Sequence, residues 1–278
     1  MALTDHCDVF GSAHEDGINR IATHVMRQRP SLFNYGTQLF ASNHGLLCKP
    51  IHPHPEVVRR GNPLITIEDP LPILGTDGLL GLDFCFQLTR LELDVHPGNR
   101  FSLPPQLGTL PAQQMALRTE VCGAVGCPDR ELSERYGDII AAIARYESQG
   151  KIADVPLPPL QPIPTKRFEC FCLELFATLS ARIVTTAGTP TLGLFLEGLE
   201  IVDVKPDPLE STMECVIATT LRVGILPRLR VALDAFTFEL GKFASLSVSP
   251  TPTSSAVPHN PALEQDRIKA FVNVAVGP

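Results

Sequence analysis

The run Phe168-Glu-Cys-Phe-Cys-Leu-Glu-Leu-Phe-Ala-Thr-Leu-Ser-Ala-Arg-Ile-Val184 decides how the chain is read. Phe171, Leu173, Leu175, Ala177, Leu179, Ala181 and Ile183 recur at every second position. That period places them on one face of a β-strand. Strands ordinarily run for about five or six residues, so a strand over 168–184 predicts a large, strongly curved sheet. In the next strand, 191–204, Leu192, Leu194 and Leu196 share a face, Gly198 interrupts, and Leu199 and Ile201 follow on the other. Residues 82–95 change phase in the same way, from Leu82, Phe84, Phe86 and Leu88 to Leu91, Leu93 and Val95. A one-residue slip predicts a β-bulge, near Thr89-Arg90 in that strand, which bends and twists it. Asp94-Val95-His96-Pro97 and Asp203-Val204-Lys205-Pro206 echo one another as a faint repeat.

Helical spacing appears on either side of these strands. Ser12-Ala-His-Glu15 reads as a capping box. Ile18, Ile21, Ala22, Val25 and Met26 then form an apolar stripe that Pro30 ends, predicting a helix over 12–29. A second helix is expected over 208–224, with Asp207 as N-cap, Pro208 in the first turn and Leu209, Met213, Val216, Ile217 and Leu221 on its apolar side. Residues 129–149 also read as helical through Ile139, Ile140, Ile143 and Tyr146. The Pro-rich stretch 151–167 is a stiff connector. Closing strands fall within 235–275. The expected fold class is therefore α+β: a single domain over 1–278 in which a long, highly curved antiparallel sheet wraps around two long amphipathic helices.

Composition bounds the function. The chain has 278 residues, 44% hydrophobic and 19% charged, enough apolar content for a sizeable core. Its net charge of −7 argues against nucleic-acid binding, which needs a basic surface. No run approaches the ~18 apolar residues of a membrane span. The opening Met-Ala-Leu-Thr-Asp-His-Cys-Asp-Val-Phe carries no secretory pattern, so a cytoplasmic setting with reduced thiols is expected for the eight cysteines.

The motifs of chemistry are sparse. There is no G-x-S-x-G elbow, no G-x-x-x-x-G-K-[ST] loop and no H-E-x-x-H pair. Gly75, Gly78 and Gly81 lack both the spacing and the basic companion of a phosphate loop. Cys48, His52 and His54 are the best metal alternative, but no paired-cysteine spacing accompanies them. Cys170 and Cys172 are accounted for as small buried thiols. Glu197 and Glu200 read as solvated strand-edge acids. The chain is expected not to be an enzyme and to need no cofactor or metal.

The order of elements resembles the tubular lipid-binding (TULIP) superfamily, which includes the bactericidal/permeability-increasing and lipid-transfer proteins and bacterial relatives. The run Leu221-Arg-Val-Gly-Ile-Leu-Pro-Arg-Leu-Arg230, followed by Phe236-Thr-Phe-Glu-Leu240, looks like that family's second helix before a strand. Asp266-Arg-Ile-Lys-Ala-Phe-Val-Asn-Val274 resembles its closing strand. The resemblance implies a bacterial-type single unit with a groove for a lipid or other apolar ligand. Its implied walls are Ile18, Ile21, Val25, Met213, Ile217 and Leu221 on the helices and Phe171, Leu173, Leu175 and Leu194 on the strands. The competing expectation is an assembly subunit whose apolar faces are only core, and whose edge strands pair with a protein partner or a second copy.

Overall fold

The computed structural model describes residues 5–74, 79–127, 161–165, 167–186, 189–202 and 245–277, with scattered positions between them. Strands dominate. They are β1 Val9–His14, β2 Asn34–Gly36, β3 Thr66–Ile67, β4 Leu71–Pro72, β5 Leu80–Leu82, β6 Phe84–Val95 and β7 Met115–Cys127. They continue as β8 Gln161–Pro162, β9 Arg167–Thr186, β10 Thr189–Val202, β11 Val231–Ala232, β12 Phe238–Glu239, β13 Ser245–Pro250, β14 Ala262–Glu264 and β15 Arg267–Gly277. The α-helices with described bounds are α1 Glu15–Gln28, α2 Gln38–Ser42 and α3 Pro55–Arg59.

This corrects the α+β expectation. Of the three helices with described bounds only α1 is longer than five residues, and strands dominate the described residues, so the chain is β-rich there and not a sheet around two long helices. Pro50, Pro53, Pro55, Pro63, Pro70 and Pro72 leave room between them for no more than the short α3. The helix expected over 208–224 lies outside the described residues, as does the Asp203–Pro206 echo. Within 129–149 the described positions from Glu131 to Arg145 are helical.

The start of α1 also differs. Ser12 is not a cap: it lies in β1, opposite Lys269 of β15. The ladder with β15 satisfies the backbone that a capping box would otherwise serve, and the helix begins only at Glu15. The Glu15 carboxylate points inward and accepts a hydrogen bond from the Val95 amide at 2.7 Å.

The chain divides into two compact units. The first holds residues 1–22, 90–119 and 173–278, and the second residues 23–89 and 120–172. Helix α1 and strands β6, β7 and β9 contribute residues to both.

In the first unit, β1-β15-β13-β12 form an antiparallel sheet, with β14 also paired to β15. These strands lie in the last part of the chain, from Phe238 to Gly277, apart from β1. The core gathers Val95, Met115, Ala177, Leu179, Leu196 and Leu263. Strand β9 is the long strand read from sequence, but from Leu175 to Ser180 it is buried on both faces and not only on the leucine face. Its neighbour β10 carries a bulge: Leu196 pairs with Leu179 and Gly198 with Thr178, leaving Glu197 outside the ladder. The phase change at Gly198 in the sequence marks this slip. A β-carbon on Gly198 would stand 2.8 Å from Leu107 Cδ2 and 2.9 Å from Thr178 Oγ1, so any larger residue there requires one of those side chains to shift.

In the second unit, β2 pairs antiparallel with β6, placing Tyr35 opposite Phe86, and parallel with β3. The Pro-rich connector is not all linker: β8 pairs with β5, and the adjoining Ile163 is buried. The core joins Phe40, Ile65, Cys85 and Ala124 with Phe168, whose ring meets Phe40 edge-on at 4.7 Å. Two disulfides, Cys48–Cys170 and Cys122–Cys172, cross-link this unit with Cα separations of 5.4 and 4.0 Å. The expectation of reduced thiols is corrected for these four. Cys122 and Cys172 sit on the neighbouring strands β7 and β9, and the segment after α2 carries Cys48 to Cys170, proximities that linear spacing does not reveal.

A candidate cleft in the second unit

The cleft is built from a buried amide. Gln87 projects from β6 and is almost fully buried. Its side-chain oxygen accepts from the Lys49 amide at 3.0 Å, and its side-chain nitrogen donates to the Lys49 carbonyl at 2.9 Å and the Asn34 side-chain oxygen at 3.3 Å. Asn34 in turn donates to the Pro30 carbonyl at 2.7 Å. A buried amide costs stability unless its donors and acceptors are met, and here they are. The segment after Cys48 is thus clamped by Gln87 and tied to β9 through Cys170. Its far end is held where the His54 amide donates to the Arg27 carbonyl at 2.9 Å.

Between this strap and α1 lies a cleft of about 500 Å³. Met26, Phe33 and Ile51 supply apolar wall, Asn34 and Gln87 line it beside them, and Lys49 stands at its edge. The Lys49 ammonium lies 3.7 Å from the Glu120 carboxylate, which also accepts a short hydrogen bond from Thr89. Cys85 is buried close by, and burial pushes its thiol pKa up, against hydrogen bonds with the backbone of Ala124 and Cys48 that pull it down. A thiol held neutral in this way is a packing group, not a nucleophile.

The opposite parity of the same strands is open. Phe86 and Phe171 approach from either side of Gly123, where an added β-carbon would lie about 3.1 and 3.0 Å from the two rings. Tyr35 continues the row beside Phe86. These three rings are 38–42% exposed, a contiguous aromatic patch and not scattered surface residues. Of the face that Leu82, Phe84, Phe86 and Leu88 share, Phe84 is buried and Phe86 is exposed, while Cys85 and Gln87 on the other parity are inside.

The residues expected to line a groove do not gather at the cleft. Ile18 and Val25 are half-buried, and Ile21 is 65% exposed. Phe171 belongs to the aromatic row, Leu173 is half-buried, and Leu175 is buried. Leu194 packs on the core of the first unit. Met213, Ile217 and Leu221 lie outside the described residues. The wall residues are instead Met26, which the helical stripe includes, and Phe33 and Ile51, for which no periodic signal exists. The metal alternative loses a ligand, since Cys48 is bonded to Cys170. Glu120, Cys122 and Cys172 also cluster, but both cysteines are in a disulfide.

No protein-family model and no curated protein matches this chain. Among solved structures, the crystal structure of a lipopolysaccharide binding protein is similar at 10% identity and a TM-score of 0.33. The alignment covers 98% of this chain and 51% of that one, so the chain spans about half its length. At that TM-score the likeness does not establish a shared fold. No helix among the described residues is long and apolar enough to cross a membrane.

Proposed function

We propose that the chain is a non-enzymatic binder of a small apolar molecule, such as a lipid chain, in the cleft of the second unit. The observation that carries the reading is the combination of apolar wall and fixed frame. Met26, Phe33 and Ile51 face a space of about 500 Å³ whose strap is held by Gln87 and by the Cys48–Cys170 bridge. Small-molecule sites are commonly clefts of this size, mainly apolar with a few polar groups. A pre-fixed wall spares the ligand the cost of ordering it. The two disulfides suit an oxidising compartment.

Native mass spectrometry of the purified full chain, followed by titration with a pyrene-labelled fatty acid, tests this. The expected result is saturable binding that Ile51→Asp and Met26→Asp each weaken at least about tenfold, as burying a charge in an apolar wall requires. Absence of both co-purified lipid and probe binding, or equal binding by folded variants, would overturn it.

A second reading, a subunit of a larger complex, draws on the exposed row of Tyr35, Phe86 and Phe171. Aromatic residues are enriched where proteins dock. Light scattering before and after Phe171→Ser distinguishes it: an assembly that the change dissolves supports docking, and a monomer throughout counts against it.

A further inference from the structure

The first unit carries its own cleft, of about 440 Å³, which the reading above does not use. Gln114, Ser180, Arg182, Glu197, Thr253 and His259 contribute to its lining. The bulge in β10 is what brings Glu197 there, by releasing it from the ladder with β9. One carboxylate oxygen accepts from the Ser180 hydroxyl at 2.5 Å and from the Arg182 guanidinium at 2.8 Å. Arg182 also lies over the Phe195 ring, 5.3 Å from its centre, which fixes the guanidinium from behind.

The rim is held independently. Asn260 donates to the carbonyls of Thr251 and Phe271 at 2.9 and 2.6 Å and accepts from the Phe271 amide at 3.2 Å. These bonds pin the 251–261 loop to β15. On the other side Gln113 adopts a left-handed backbone, φ 62°, and its side chain accepts from the Leu263 amide at 2.9 Å. A non-glycine residue kept in that region is over-determined by its surroundings, a condition that concentrates at binding sites.

The charges select the ligand. Arg182 and Glu197 neutralise one another, so the cleft attracts neither an anion nor a cation by net charge. What remains for a ligand is neutral and mixed. Among the described residues, the side chains of Gln114, Thr253 and His259 have no protein hydrogen-bond partner, and no donor reaches the second oxygen of Glu197. A purely apolar ligand would strip these groups of water without replacement. Pro258 and Pro261 add apolar surface beside them. The geometry points to a binding site for a neutral, hydroxyl-rich small molecule, a saccharide or polyol. Its hydroxyls would donate to Glu197 and accept from Gln114 and His259.

Saturation-transfer NMR on the full chain tests this, with glucose, N-acetylglucosamine, lactose and myo-inositol as probes and glucuronate and glucosamine as charged comparators. Transfer to at least one neutral probe is expected. The affinity should fall about tenfold in Gln114→Ala/His259→Ala, which removes two ligand hydrogen bonds and none that the fold uses. His259→Ala alone, at an exposed loop position, provides a variant that keeps the fold. No transfer to any neutral probe, transfer confined to a charged comparator, or undiminished affinity in the folded variants would overturn the assignment. Because the two clefts lie in different units, either outcome leaves the apolar-ligand reading standing on its own test.

Discussion

Asn19 of α1 and Leu93 of β6 exchange two hydrogen bonds: the Asn19 side chain donates to the Leu93 carbonyl and accepts from the Leu93 amide, both at 2.7 Å. One turn earlier, Glu15 accepts from the Val95 amide at 2.7 Å. Four residues of helix rise about 6 Å, close to the roughly 6.6 Å spanned by two residues of strand. Side chains at i and i+4 therefore meet strand residues j and j−2, and the helix serves the backbone of β6 as another strand would. The carboxamide of asparagine, with one donor side and one acceptor side, is the side chain closest to a peptide unit. This explains why the buried residues of α1 include two polar ones.

Asn19→Leu should accordingly destabilise the chain although it adds apolar bulk. It removes the partner of both the amide and the carbonyl of partly buried Leu93, a loss on the order of 2–3 kcal/mol. Urea unfolding of the variant against the parent measures it; an unchanged midpoint would show that water replaces the side chain.

Glu15 makes stability depend on pH with a definite sign. Burial raises its pKa, the Val95 amide lowers it, and the nearby charges of Asp94 and Asp266 raise it further. The folded state thus holds the proton more tightly than the unfolded chain. Its contribution is fully present below the unfolded value and is lost as pH rises through the folded one. Glu15→Gln keeps an acceptor for Val95 and removes the buried charge. The variant should be the more stable at neutral pH, with the gap closing on acidification, as thermal melts from pH 4 to 7 would record.

Asp16 works in the opposite sense. Its hydrogen bond with Arg100 lowers its pKa, so its contribution is present above the unfolded value and fades as pH falls. Asp16→Asn should blunt the acid loss of stability in the same melts.

The disulfides make a prediction independent of pH. Non-reduced peptide maps should recover Cys48 linked to Cys170 and Cys122 linked to Cys172. The loops they close span 122 and 50 residues. Replacing Cys122 and Cys172 together by serine should cost about 2–4 kcal/mol, read from the unfolding midpoint.

Gly198→Val should strain the β10 bulge, since its β-carbon would already crowd Leu107 and Thr178. Overpacking of this kind costs about 1–3 kcal/mol. Loss of the Glu197–Arg182 pair in the same variant, seen by NMR of the arginine side chain, would tie the strain to the bulge.

Much of the strand framework was legible because a strand's burial repeats every two residues. Leu192 to Ile201 betrays the Gly198 slip by a change of parity that no tertiary information is needed to see. The start of α1 was less legible. Ser12 and Glu15 stand at capping-box spacing, but the same residues suit a strand when β15 offers a ladder.

The linear chain determined by itself that long strands dominate, that β10 slips at Gly198 and that a helix runs to the neighbourhood of Pro30. These follow from local period and backbone restriction. Only the tertiary structure decided that Glu15, Asn19 and Gln87 are interior, that Cys48 meets Cys170, and that Phe33 and Ile51 share a wall with Met26. Each depends on a partner far away in sequence. A polar side chain is buried only where distant backbone groups complete its hydrogen bonds, and a cleft exists only between segments that folding has brought together.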